Sequence, residues 1–331
     1  MRFGPVPLAQ ATGGVLAHSV ALPKGRLRKG RVLAASDIAA LTAAGLSEVT
    51  VARLEAGDIG EDAAAARLAA ALVPDPVAAG LRIGNASTGR VNLFAQCIGV
   101  AQIDAARIDA INAVHPMITI ATVSEWQRMT LDGMVATVKI ISYAVPQEAL
   151  TLACDMAAGG LRMRASSLAT AQLIQTAVGD EDGEKGHRAM HDRAARMGVA
   201  FGDKQVVRHE IDALAAALRG STADLVMILT GSATSDVNDV APQALRAAGG
   251  DVAHFGMPVD PGNLLFIGSL GTRAVIGLPG CARSPALNGA DWVMERVICG
   301  VPVGPAEIAG MGVGGLLKEI PSRPRPRRAV E

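Results

Sequence analysis

Two rhythms of apolar and polar positions divide the chain. In the second half, short unbroken apolar stretches alternate with longer ones in which apolar residues recur every three or four positions. Residues 171–177, 206–207, 225–229, 251–256, 264–267 and 274–277 read as strands. Helices are expected over 186–197 and 210–218, from about 240 through Ala244, Leu245 and Ala248, and over 292–299. Repeated strand–helix units predict an α/β fold, a doubly wound sheet in a three-layer sandwich. The first half is less regular. Short strands and turns are expected from about 5 to 33, and strands over 48–53, 117–123 and 134–141. Helices are expected over 38–44, 63–73, 93–100, 104–114 and 147–158. Ser36-Asp37 and the Asp58-Ile-Gly-Glu61 box are expected to cap two of these. Gly159-Gly160 ends this half. The expected division is an α+β region over 1–160, an α/β domain over 161–304, and a C-terminal helix with a basic, proline-rich tail over 305–331.

One stretch organises the second half: Asp224-Leu-Val-Met-Ile-Leu-Thr-Gly-Ser-Ala-Thr-Ser-Asp-Val-Asn-Asp-Val-Ala-Pro242. Five apolar residues without alternation suit a strand buried on both faces. The small residues that follow let backbone N–H groups approach a ligand, and the hydroxyls of Thr230, Ser232, Thr234 and Ser235 add donors. A helix N-terminus comes next. Strand, small-residue loop and helix together form an anion-binding arrangement. Carboxylates beside such a loop, Asp236 and Asp239, would repel a bare phosphate and suggest a bridging Mg²⁺.

Composition narrows the function. The 31 basic and 31 acidic residues cancel, and aromatics make up 2% of the chain, which argues against a nucleic-acid binder. No apolar stretch reaches the length of a membrane span, and the N-terminus has no apolar signal region. Cys97, Cys154, Cys281 and Cys299 form no CxxC pair, so they are expected to be reduced thiols of a cytoplasmic protein.

From about residue 165 to 300 the chain resembles the molybdopterin-binding domain of the MoaB/Mog, MoeA and CinA proteins. Asp224-Leu-Val-Met-Ile-Leu-Thr-Gly231 stands where that family has a strand and a Thr-Gly-Gly-Thr-Gly loop. Asp239-Val240 with Pro242 stands at its Arg-Asp-Val-Thr-Pro, and Gly277-Leu-Pro-Gly280 at its Leu-Pro-Gly turn. Pro261-Gly262 resembles a turn of the MoeA-type members. The stretch from Lys29 to Gly45, with Glu48-Val-Thr-Val51, is similar to their N-terminal region. The resemblance implies binding of molybdopterin, its nucleotide form or the finished molybdenum cofactor. It implies Asp239 as the catalytic carboxylate, and Asp239 with Asp180 as Mg²⁺ ligands. It also implies a pterin site of Thr230, Gly231, Ser232, Thr234, Ser235, Asp236, Pro279, Gly280 and Arg283. The implied partners are an apo-molybdoenzyme or a cofactor nucleotidyltransferase, with a homo-oligomer expected.

Departures from the family pattern leave the chemistry open. Gly231-Ser-Ala-Thr234 replaces the second and third family glycines with residues bearing a Cβ, and His209 stands where the family has a carboxylate. Adenylyl transfer or molybdate insertion is one reading. A non-catalytic cofactor carrier is another, and a CinA-like nucleotide pyrophosphatase a third. Four further features read structurally. His187 and His191, four apart among Lys185, Arg188 and Arg193, suit a solvated helix face better than a metal pair. Cys281 suits a small buried side chain. His254 stands alone and reads as a core or rim residue. Gly84 to Arg90 reads as a loop.

Overall fold

The computed structural model describes residues 1–260 and 262–317. Pro261, half of the expected Pro261-Gly262 turn, and the basic tail over 321–328 lie outside the described residues. Contacts divide the described residues into two compact units, residues 1–97 with 101–163, and residues 98–100 with those from 164 onward.

The first unit holds two cores. Near the N-terminus, strands Arg2–Pro7, Glu48–Arg53 and Val15–Leu16 form an antiparallel sheet. Leu8, Leu16, Leu33, Leu41, Val49 and Val51 are buried together there. The second core lies on a four-stranded antiparallel sheet of Ile118–Thr122, Met134–Ile140, Arg90–Ala95 and Leu81–Ile83. Helices Glu61–Leu72, Ala105–Val114 and Gln147–Ala157 bury Leu68, Ile111 and Leu150 in it.

Three sequence expectations fail in this unit. Of residues 93–100, expected as a helix, 93–95 lie in strand Arg90–Ala95 and 99–100 in strand Gly99–Ile103, with a bend between. Val91, Leu93 and Ala95 are fully buried while Arg90, Asn92 and Phe94 are not. The period is therefore two, and Leu93 pairs with Ala136 across the sheet. The Asp58–Glu61 capping box does not form. Asp58 opens strand Asp58–Gly60, and its carboxylate accepts the Glu55 N–H at 2.7 Å; Gly60 is the N-cap. The helix expected over 38–44 spans Ala35–Ala43, with Ala34 as its N-cap. Asp37 still serves it from the third helical position, accepting the Ala34 N–H at 3.0 Å and Arg31 Nε–H at 2.9 Å.

The second unit is a mixed α/β structure around a parallel-rich sheet. In chain order its elements are β1 (Thr170–Ala177), α1 (Glu184–Arg196), β2 (Ala200–Phe201), β3 (Gln205–Arg208), α2 (Ile211–Gly220), β4 (Leu225–Leu229), α3 (Val240–Ala247), β5 (Asp251–Met257), β6 (Asn263–Leu270), β7 (Arg273–Gly277) and α4 (Gly289–Ile298). The sheet runs β2-β1-β4-β7-β6-β5, with β3 also on β1. Contacts from β2 and β3 through β1 and β4 to β7 are parallel; β6 is antiparallel to both its neighbours.

All five residues of β4 are buried, as expected for a strand covered on both faces. On one face Ile174, Val226, Ile228 and Phe266 pack against Leu214 and Leu218 of α2 and Ala244 and Leu245 of α3. On the other face α1 lies close to Gln175 and Leu229: a Cβ at Gly186 would overlap the Gln175 amide and come 2.7 Å from Leu229 Cδ2. Burying one such medium-sized aliphatic side chain contributes about 1.5–3 kcal/mol.

Candidate functional site

A cleft of about 290 Å³ opens at the carboxyl ends of β1 and β4. From β1 the chain leaves through α1 to β3 on one side. From β4 it leaves through α3 towards the opposite edge. Adjacent strands whose connections part in this way leave a crevice between their loops, where ligands of open α/β sheets bind. The walls include Gln175 and Thr176 from β1, Glu181, Asp182 and Gly183 from the β1–α1 turn, Lys185 and Gly186 from the first turn of α1, Val206, Gly231 and Arg283.

Local sequence explains why backbone lines this cleft. Gln175 is buried and its Nε2 donates to the Gly183 carbonyl at 2.8 Å. That bond seats the start of α1 on the sheet. Gly183 sits at φ +70°, and a Cβ there would come 2.6 Å from Gln175 Nε2. Glycine is therefore required both for the left-handed turn and for the close approach. The first turn of α1 has N–H groups without intrahelical partners and carries the positive end of the helix dipole. Lys185, exposed, and Arg283, half-buried, add positive charge.

Carboxylates balance these cations. Glu181 folds back on its own turn, accepting the Gly179 N–H at 2.8 Å. That bond and others from backbone N–H groups hold its carboxyl below the usual range, with the Arg283 charge adding a smaller push. Asp182 accepts the Glu184 N–H at 2.9 Å.

The loop after β4 makes most of its hydrogen bonds to itself. Thr230 and Thr234 are buried, with their hydroxyls 3.2 Å apart. Asp239 is the N-cap of α3: its Oδ1 accepts the Val240 N–H at 2.7 Å and its Oδ2 the Ser235 N–H at 2.8 Å. These two bonds, Ser235 first, hold its carboxyl below the usual range. Asp236 accepts the Asn238 N–H at 2.8 Å within the loop. The Arg283 guanidinium donates to the Thr230 carbonyl at 2.7 Å, which joins this loop to the turn after Leu278-Pro279-Gly280.

Of the residues proposed from sequence, Gly231 and Arg283 line the cleft. Thr230 is tied to it through Arg283. Ser232, Thr234, Ser235, Asp236 and Asp239 belong to the adjoining loop and cap, while Pro279 is buried and Gly280 opens a short 3-10 turn, Gly280–Arg283. Asp180 is exposed on the β1–α1 turn and is not among the cleft-lining residues. Among the described residues no three His, Cys, Asp or Glu side chains come together as a metal site.

Two structural readings also need correction. Cys281 is half-buried rather than buried. Arg193, placed on the solvated face with the two histidines, is 2% exposed. The histidines flank the Phe201 ring, at 5.2 Å for His187 and 5.9 Å for His191. Burial lowers the pKa of His187. The sequence reading missed Gln175, Thr176 and Lys185. The one available signal was the polar pair Gln175-Thr176 directly after Leu173-Ile174 at the end of the strand.

Comparisons with known proteins add two distant likenesses. A crystal structure of molybdenum cofactor biosynthesis protein B superposes with a TM-score of 0.31 at 12% identity, covering 41% of this chain and 96% of that one. A molybdenum cofactor biosynthesis protein from Pyrococcus furiosus superposes with a TM-score of 0.24 at 13% identity. That match covers 93% of this chain, which spans 65% of the other protein. Superpositions at these scores assign no function. The family described as "Domain of unknown function (DUF8806)" matches residues 5–53, the strands and helix around the N-terminal core. No curated protein matches the chain.

Proposed function

We propose that the cleft binds a phosphorylated pterin, molybdopterin or its nucleotide form, and that the protein serves molybdenum cofactor biosynthesis or delivery. The observation that carries this reading is the placement of Lys185, Arg283 and the first turn of α1 around one crevice, beside Gly231, at the switch between β1 and β4. A phosphate fits such a place through charge and free N–H groups together. The Asp224–Gly231, Asp239–Pro242 and Gly277–Gly280 motifs, in the order of the molybdopterin-binding domain, support the pterin.

Within this reading, residues 161–304 act as the binding domain. Gly231, Lys185 and Arg283 touch the ligand, Thr230 and Thr234 hold the loop from within, and the hydroxyls of Ser232 and Ser235 lie beside it. Asp239 acts by capping α3 and holding the Ser235 amide. A carrier role is favoured over adenylyl transfer or molybdate insertion by the departures in the loop: Ser232 and Thr234 bear a Cβ where the family has glycine, and His209 stands where it has a carboxylate. The recipient would be an apo-molybdoenzyme or a cofactor nucleotidyltransferase.

The test is calorimetric titration of the purified protein with molybdopterin and its adenylylated form, repeated with Arg283→Met and Lys185→Met. Saturable binding is expected, weakened about tenfold or more in each variant. Binding that neither variant weakens would place the ligand elsewhere.

A further inference from the structure

Arg193 is a charged side chain where the helix pattern has a buried position, one turn beyond Ala189 and Met190 on α1. A guanidinium removed from water is tolerated only where its five N–H groups all find acceptors. Here they do. Nε donates to Asp291 Oδ1 at 2.6 Å. One terminal nitrogen donates to the carbonyls of Ala189 at 3.1 Å and Ala282 at 3.2 Å. The other donates to the carbonyls of Ser284 at 2.8 Å and Ala286 at 3.1 Å and to Asp291 Oδ2 at 3.4 Å. Asp291 Oδ2 also accepts the Asn288 N–H at 2.9 Å, which fixes the start of α4.

Three of these acceptors, Ala282, Ser284 and Ala286, are alternate carbonyls of one short segment. That segment follows the Leu278-Pro279-Gly280 turn and carries Arg283 between two of the held carbonyls. Arg283 in turn reaches the cleft and the Thr230 carbonyl. A flat fork with donors along two edges can grip several carbonyls at once; an ammonium, with three donors at a single point, cannot.

We infer that Arg193 is the positioning residue of the cleft: it curls segment 282–286 around its guanidinium and so sets where Arg283 meets the ligand. The inference rests on the cleft being the ligand site proposed above. A plain buried ion pair would ask only for the charge opposite Asp291, and lysine would then suffice.

The experiment combines hydrogen exchange with binding. In the wild-type protein the amides of Ala282, Ser284 and Asn288 are expected to be protected like those of α1. Exchange as fast as that of a free loop would overturn the inference without any variant. In Arg193→Lys, with folding checked by thermal melting, those amides are expected to exchange about tenfold faster while the amides of β4 keep their wild-type rates. Calorimetry with inorganic pyrophosphate and with molybdopterin is expected to show about tenfold weaker binding in Arg193→Lys, and no further loss when the change is added to Arg283→Met. Faster exchange throughout the second unit would overturn the inference, as would an equal loss of affinity in the Arg283→Met background. If wild-type protein binds neither probe, the proposed function fails, and the exchange data still decide whether Arg193 orders the segment.

Discussion

The hydroxyl of Thr176 lies 2.8 Å from Nδ1 of His209 and accepts the Gly231 N–H at 3.0 Å. One buried hydroxyl thereby ties the end of β1, the residue after β3 and the loop after β4. Thr176→Val keeps the shape and removes the tie. It leaves the Gly231 N–H without its partner, so a stability loss of about 1–3 kcal/mol is expected. Chemical denaturation measures it, and calorimetry should show weakened molybdopterin binding. Unchanged values in both would mean the hydroxyl holds nothing.

Gly231 is required by proximity. A Cβ there would come 2.8 Å from the Thr176 carbonyl oxygen and 3.2 Å from the Val178 nitrogen, both backbone atoms. Gly231→Ala must push β1 and the loop apart, at a cost of about 1–3 kcal/mol. The expected outcome is a folded protein with a lowered melting temperature and weakened pterin binding. A melting temperature at or above that of the wild type would show that the loop has room to spare.

Much of the second unit was legible in the sequence. The unbroken run 225–229 marked a doubly covered strand, and the alternation of short and long stretches marked the parallel-rich sheet. The first unit was harder, because Val91-Asn-Leu-Phe-Ala95 has a two-residue period hidden beside a longer apolar stretch that suits a helix equally well. Most of the cleft was not legible. Gln175 and Thr176 matter through partners at Gly183, His209 and Gly231, contacts that only the folded chain creates. Arg193 was misplaced for a related reason: a charged residue on a charge-rich helix reads as solvated until its acceptors, some ninety residues later, are brought to it.

Asp239 contributes a pH dependence of definite sign. Its folded carboxyl is held below the usual range by the Ser235 and Val240 N–H groups. A depressed folded value adds stability that is complete above the unfolded value, about 3.9, and is lost as the pH falls through the folded one. Asp239→Asn should melt below the wild type at neutral pH, and the gap should close below about pH 4. Asp239→Ala should cost about 1 kcal/mol, as for other lost N-caps, without unfolding the protein. A gap that widens on acidification would contradict the assigned hydrogen bonds.

The most direct measurement is calorimetric titration of wild-type protein and Arg283→Met with molybdopterin. The proposed function predicts saturable binding to the wild type, and affinity at least tenfold weaker in a variant that stays folded at the titration temperature. No binding to the wild type, or equal binding to both proteins, would contradict it.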